Sequence, residues 1–506
     1  MKISVIDFLI ETTRKQPTKT AIEDANGTVS FETLLSNGCN LAEAISNLHI
    51  QRSPIAVFLP KSKEMIECFA GINLSGNLYV PLDTTQPSTR IENILGVLGS
   101  SLVVTSNTLK EKLPATFKGE ILIIEDIFQN GNDWQRAIQM LEDAAPIDTD
   151  PVYAIFTSGS TGMPKGVVVN HRGVIDYIDW AVETFGVDSS YIIGNQAPFY
   201  FDNSTLDIYL MYATGATLVI IPEDRFTFPA KLIEFLNEKR INFVFWVPFI
   251  LVNIANFKLL ERLKPEYLKN VFFAGEVMPT RQLNYWRKHL PHCRYVNLYG
   301  PTEITVDCTY FIIDREFNDD EPLPIGKPCR NTDILILRDR KEPCKKGETG
   351  EICVRGSSLA NGYYNNPAKT EEAFIQNPLN QAYPEKIYCT GDLGYLNERS
   401  EIIFVGRIDS QIKHKGYRIE LGEIETAVQG SHLVEECCVV YDNAKQRITL
   451  FYSNDEAITP AQLRTALKDR IPAYMLPSTI IREGELKRNT NGKIDRLHYK
   501  TKLDGV

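Results

Sequence analysis

The stretch VYAIFTSGSTGMPKG (152–166) joins an apolar run, VYAIF, to a loop of Thr157, Ser158, Gly159, Ser160, Thr161 and Gly162 that closes on Lys165 and Gly166. The first half is β-branched and aromatic and predicts a buried strand. In the second half, small residues let backbone N–H groups and hydroxyls converge on phosphate oxygens, with Lys165 adding positive charge. It is not a P-loop, which needs Ser or Thr directly after its lysine where this chain has Gly166. Taken alone, the loop reads equally well as a phosphate cradle or as a flexible surface turn.

Outward from this point, short strand-like runs alternate with helical patterns. SPIAVFLP (53–60), SLVVTS (101–106), EILIIED (120–126) and TLVIIPE (217–223) predict buried strands, and SKEMIECFAGINLSG (62–76) an amphipathic helix. Such alternation implies parallel sheets covered by helices. Between about 329 and 356, TDILILRD, a turn at KKGETG and EICVRG predict a hairpin-rich β subdomain. After GRID (406–409), ELGEIETAVQG and AQLRTALKDRI read as helices and ECCVVYD and RITLFYS as strands, enough for a small α+β domain. The expected fold class is α/β: a large N-terminal domain of parallel-sheet subdomains with a β-rich subdomain, followed by a small C-terminal α+β domain.

At 506 residues the chain exceeds one ordinary core, and its 43% hydrophobic and 23% charged residues exclude wholesale disorder, a collagen-like fibre and a small disulfide scaffold. Its 54 basic and 64 acidic residues leave a formal charge of −10, which argues against nucleic acid as an electrostatic partner. The longest uncharged apolar stretch, Ile208 to Pro222, falls short of the ~20 residues that span a bilayer. The start, MKISVIDFLIETT, is broken by Asp7 and lacks a small-residue cleavage site, so it predicts an amphipathic helix and no signal peptide. Ten cysteines, scattered apart from the adjacent Cys437 and Cys438 and without a C-x-x-C pair, predict buried free thiols in a reducing cytoplasm. His289, His292 and Cys293 lack the second ligand pair that a zinc site needs.

Three further motifs carry chemistry. In NLYGPTE (297–303), an aromatic beside a turn can stack on a base, Thr302 can donate to phosphate and Glu303 can hold Mg²⁺; a polar β-turn is the plainer reading. In YCTGD (388–392) and GRID (406–409), Asp392 can accept both hydroxyls of a ribose and Arg407 offers a planar fork; a structural Asp–Arg pair is the alternative. In NGKIDR (491–496), Lys493 on a Gly-bearing loop can be delivered to a reacting carboxylate, or belongs to a frayed basic tail.

Together and in this order, these motifs resemble the adenylate-forming superfamily, most closely the amino-acid adenylation domains of nonribosomal peptide synthetases. YVPLDTTQP (79–87), FDNSTLDIY (201–209) and HKGYRIELGEIE (414–425) add to the likeness. In size it is similar to stand-alone enzymes such as D-alanine–D-alanyl carrier protein ligases. The resemblance implies an AMP-forming ligase that uses ATP and Mg²⁺ to activate an amino acid and then loads it onto the phosphopantetheine thiol of a carrier protein. It implies no membrane insertion and a cytoplasmic setting.

By the same resemblance, a large domain spans 1–408 and a mobile one 410–506, with Asp409 as hinge. ATP phosphates lie against Thr157, Ser158, Gly159, Ser160, Thr161, Gly162 and Thr302, and Lys165, Gly300 and Pro301 belong to the same ATP site. Adenine lies near Gly275, Glu276, Asn297, Leu298 and Tyr299, and the ribose meets Asp392 and Arg407. Glu303 ligates Mg²⁺, Lys493 with Thr302 and Glu303 is catalytic, and Gly416 lines the pantetheine channel. Asp202 pairs with the substrate's α-ammonium, since a carboxylate in an acyl pocket is costly without a cationic partner. The side-chain pocket is expected from Asn203, Leu206, Trp246, Phe272, Ala274, Leu298, Val306 and Asp307, with Lys493 reaching the carboxylate. Asp307 favours a hydroxyl or cationic side chain unless it is satisfied internally. Ala274 stands where the D-alanine ligases carry cysteine, which points away from D-alanine and towards a small or medium polar, serine-like amino acid. An acyl-CoA synthetase on free CoA is the nearest alternative.

Overall fold

The computed structural model describes residues 2–128, 133–157, 163–409, 411–434, 436–442, 445–453, 458–488 and 494–504. Two large sheets face each other. The first orders its seven strands Gly362–Tyr363, Lys165–Asn170, Pro151–Thr157, Leu78–Pro81, Pro54–Phe58, Leu102–Thr105 and Glu120–Ile123. Its five strands from Pro151–Thr157 onward run parallel, and the first two turn back antiparallel. The second sheet has nine strands, with a parallel centre of Arg294–Tyr299, Asn270–Phe273, Phe243–Trp246, Ile192–Asn195, Thr217–Ile220 and Thr20–Asp24.

The strands expected at 53–60, 101–106 and 217–223 are present and buried. EILIIED behaves differently: Glu120–Ile123 is the half-exposed edge of its sheet, and the remaining residues turn into the short helix Ile124–Ile127. An edge strand pairs on one side only, so it keeps the apolar character of a central one with less burial. The first helix, Ile6–Lys15, buries Ile6, Leu9 and Thr13, and Lys63–Leu74 packs between the sheets and the neighbouring helix Phe31–Asn47. Apolar side chains from both sheets merge in one core that includes Val57, Ile155, Leu218 and Phe245.

The β-rich unit is antiparallel: Thr332–Arg338 pairs with Gly350–Gly356, which pairs with Lys386–Leu396, and Ile402–Arg407 lies beside the last. Past Asp409 come the hairpin Gln411–His414/Tyr417–Glu420, the helix Leu421–Gln429 and a three-stranded sheet of Glu436–Asp442, Arg447–Ser453 and Thr479–Glu483. A capping box at Thr459 and Gln462 starts the helix Pro460–Lys468. These elements close their own core around Ile424, Val439, Leu450 and Leu467. All ten cysteines are free, and all but Cys344 are buried. Among the described residues, no helix is long and apolar enough to cross a membrane.

Candidate active site

A cleft opens where the strand ends of both large sheets meet the hairpin of the small domain. Thr157 ends its strand at the cleft wall, and Ser158, Gly159, Ser160, Thr161 and Gly162 lie outside the described residues. Lys165 begins the next strand, 3.8 Å from a Glu303 carboxylate oxygen and over the Tyr363 ring. Opposite, the strand Arg294–Tyr299 delivers Gly300, Pro301 and Thr302 to the cleft. Gly300 has no alternative: a Cβ there would sit 2.3 Å from the Val306 carbonyl oxygen. The tight return is made by Thr305 and Val306, both at positive φ.

Asp392 and Arg407, expected at the ribose, come together at the cleft. Asp392 accepts from Tyr299 Oη at 2.6 Å and from Arg407 Nη1 at 2.6 Å, and it still faces the cleft. Arg407 uses its other edge to grip Asp409 through Nε and Nη2, each at 2.7 Å. Asn297 instead donates to the Pro324 carbonyl at 2.8 Å, a structural bond that holds the strand. Gly275 lines the cleft, whereas the neighbouring Glu276 accepts backbone N–H groups from Phe249 and, at 2.9 Å, from Gly416. Gly416 has φ +85°, and a Cβ there would meet Val247 Cγ1 at 2.7 Å, so only glycine lets the hairpin approach this closely.

Glu303 is fully buried and its carboxylate is committed. Oε1 accepts from Tyr363 Oη at 2.7 Å and Oε2 from Arg418 Nη1 at 2.7 Å. Burial pushes its pKa up, but Arg418 and Lys165 outweigh that and hold the carboxyl below its usual range. As a hard oxygen donor beside the phosphate-side loops, Glu303 suits Mg²⁺ once Arg418 withdraws. Arg418 comes from the HKGYRIELGEIE motif, which carried the signal for it.

On the acyl side, Asp202 precedes the helix Asn203–Thr214 and lines the cleft with Asn203, Ala274, Val306 and Asp307. No ion pair reaches Asp202 among the described residues, and burial holds its carboxyl above the ordinary range, with a Thr302 hydrogen bond acting the other way. Asp307 has an internal partner: Tyr177 Oη donates to Oδ2 at 2.6 Å, and burial pushes Asp307 up to about 7. Leu206, Phe272 and Leu298 lie in the core behind this wall.

Trp246 is not brought to the pocket. It belongs to the core on the opposite face of the sheet, where its indole N–H donates to Gly194 at 2.9 Å and its ring packs on Phe226. Strand side chains alternate, so its neighbour Phe245, in register with Phe272, holds the pocket-side position. Lys493 lies outside the described residues. In the histidine–cysteine group, His292 and Cys293 both reach the Leu268 carbonyl. The one trio with metal-ligand spacing among the described residues is Glu351, Cys353 and Cys389, and Glu351 is already gripped by Arg340.

The sequence profile of the AMP-binding enzymes matches residues 9–364, and that of their C-terminal domain matches residues 423–493. The chain belongs to the AMP-binding enzyme family. It is 31% identical over 452 residues to zwittermicin A synthase ZmaJ of Bacillus cereus, covering 87% of this chain and 84% of that protein. It is also 31% identical over 485 residues to tyrocidine synthase 1 of Brevibacillus parabrevis, covering 95% of this chain but only 43% of that protein's length. Among solved structures, the Vibrio cholerae adenylation domain AlmE, bound to glycyl-adenosine-5′-phosphate, superposes with a TM-score of 0.86 at 21% identity. That match covers 100% of this chain and 98% of AlmE, and establishes the shared fold. As an AMP-binding enzyme the chain is an AMP-forming ligase that uses ATP.

Proposed function

We propose that this AMP-binding enzyme activates an amino acid as its aminoacyl-AMP and passes it to the phosphopantetheine thiol of a carrier protein. The observation that carries the amino-acid reading is Asp202, a buried cleft carboxylate without an ion-pair partner among the described residues. An α-ammonium group beside it would restore the charge that burial opposes. The likeness to peptide-synthase proteins supports the same substrate class.

In the first step the substrate carboxylate, already ionised, attacks the α-phosphorus of ATP and pyrophosphate leaves. Two anions must meet, so positioning and charge neutralisation do most of the work. Thr157, Thr302 and Lys165 hold the phosphates, Asp392 and Arg407 the ribose, and Gly275 the base edge. Lys493 bridges the carboxylate and α-phosphate. Glu303 would hold Mg²⁺, which would supply further charge neutralisation. The large domain ends at 408, and rotation about Asp409 then exchanges Lys493 for the hairpin at Gly416, past which the pantetheine arm enters. The present arrangement, with Gly416 against Glu276 and Arg418 on Glu303, supports assigning it to this second step.

The side-chain pocket ends on Asp307 and Tyr177, which suits a small or medium substrate with a hydroxyl group. The test is amino-acid-dependent ATP–pyrophosphate exchange across the proteinogenic acids, D-alanine, β-alanine and fatty acids, followed by loading of pantetheine. Exchange with one amino acid and its transfer to the thiol is expected; exchange with fatty acids alone would move the assignment to acyl-CoA synthesis.

A further inference from the structure

Several contacts join the small domain to the large one. Arg418–Glu303, Gly416–Glu276 and the Phe201–Tyr417 ring contact all involve groups that stand at the reaction cleft. One does not. Arg90, in the large-domain helix Ser88–Leu98, pairs through Nη1 with Glu423 Oε1 in the small-domain helix Leu421–Gln429, 333 residues away. Both residues are buried in the docked arrangement, at 5% and 3% exposure. Beside them Thr89 Oγ1 donates to the Asp469 carbonyl at 3.1 Å, and Tyr474 stacks on Tyr417 at 3.8 Å, continuing the same interface to the hairpin.

A buried ion pair at a separable interface adds little net strength, because water solvates both charges once they part. It penalises misalignment instead: any docking that buries Arg90 without Glu423 leaves an unpaired charge in a dry contact. We propose that Arg90 and Glu423 form a register pin that selects the small-domain orientation in which Gly416 faces the cleft. Although it lines the cleft wall, Arg90 is thus a positioning residue for the transfer step. The pin rests on the two-step reading above, and its own geometry is testable without knowing the substrate.

The measurement is pulsed dipolar spectroscopy on the full chain without ligands, with nitroxides at Lys110→Cys and Lys468→Cys in a Cys344→Ser background. Wild type should show a dominant docked distance. Arg90→Met and Glu423→Gln should each lower the docked-to-undocked ratio by about tenfold or more, and the charge swap Arg90→Glu/Glu423→Arg should restore it. Pyrophosphate exchange with pooled amino acids should stay unchanged in all three, while loading of free pantetheine falls in the single variants and recovers in the swap. An unaltered distance distribution in both single variants, or a folded swap variant that fails to restore it, overturns the pin. Wild type that shows the distances but no exchange would refute the amino-acid reading and leave the pin decided by the distances. Thermal melts separate misfolding from undocking, and Glu423→Gln, which keeps the side chain's shape, guards against a collapsed Arg90 site.

Discussion

Glu303 and Asp202 are two buried carboxylates on the same cleft, yet their charges stand in opposite conditions. Glu303 is surrounded by Arg418, Lys165 and Tyr363, and its proton affinity is driven down. Asp202 has no ion-pair partner among the described residues, and burial drives its proton affinity up. The phosphate side is electrically settled inside the protein in this domain arrangement, whereas on the acyl side Asp202 has no ion-pair partner among the described residues and the charge of Lys413 offsets its burial only in part. The difference teaches that the two ends of the cleft are completed differently: one by a small-domain arginine already in place, the other, in the function proposed, by the substrate.

The sharpest way to break this contrast is to remove the unmet charge. Asp202→Ala should lower amino-acid-dependent pyrophosphate exchange by about a hundredfold or more, since an ammonium left buried without its partner costs roughly 3–5 kcal/mol; steady-state exchange rates check it. Removing the opposite compensation comes next. Arg418→Ala should reduce pantetheine loading by about tenfold while exchange persists, and should weaken the contact that hides Glu303 from metal, read as tighter Mn²⁺ binding by electron paramagnetic resonance.

A smaller effect belongs to Asp307. Its folded-state pKa, about 7, lies above the ordinary carboxylate value, so the folded protein binds more protons than the unfolded chain between about pH 4 and 7. That contribution to stability is present at low pH and is lost as pH rises towards 7. Asp307→Asn should therefore be more stable than wild type at pH 8 by up to a few kcal/mol, read as a higher melting temperature, with the gap closing near pH 4. Tyr177→Phe, which removes the donor to Asp307, should shift preference among side chains by about tenfold at most, measured as the ratio of exchange rates for hydroxyl-bearing and aliphatic acids. Smallest of all, Trp246→Phe should change melting temperature but leave that ratio unaltered, while Phe245→Leu should change the ratio.

The last pair marks where the sequence stopped being readable. The strand Phe243–Trp246 is apolar at all four positions, so its alternation carries no sign of which face meets the pocket, and only register against Asn270–Phe273 decides. By contrast, the alternation of strands and helices was legible throughout, because each buried parallel strand is a dense apolar run between helices. The loops at Thr157, Thr302 and Asp392 were legible as candidates because small residues, hydroxyls and a carboxylate sit in short clusters. The partners of those groups were not. Arg418 lies 115 residues from Glu303, and Tyr177 lies 130 residues from Asp307, and no local pattern records such pairings.

Completion of the cleft by a substrate ammonium group at Asp202 is tested most directly by pyrophosphate exchange with matched acids that differ only in the α-amino group, on wild type and Asp202→Asn. Exchange with the amino acid, none with its des-amino counterpart, and loss of that discrimination in Asp202→Asn is the predicted result. Equal exchange with both acids in wild type would contradict it.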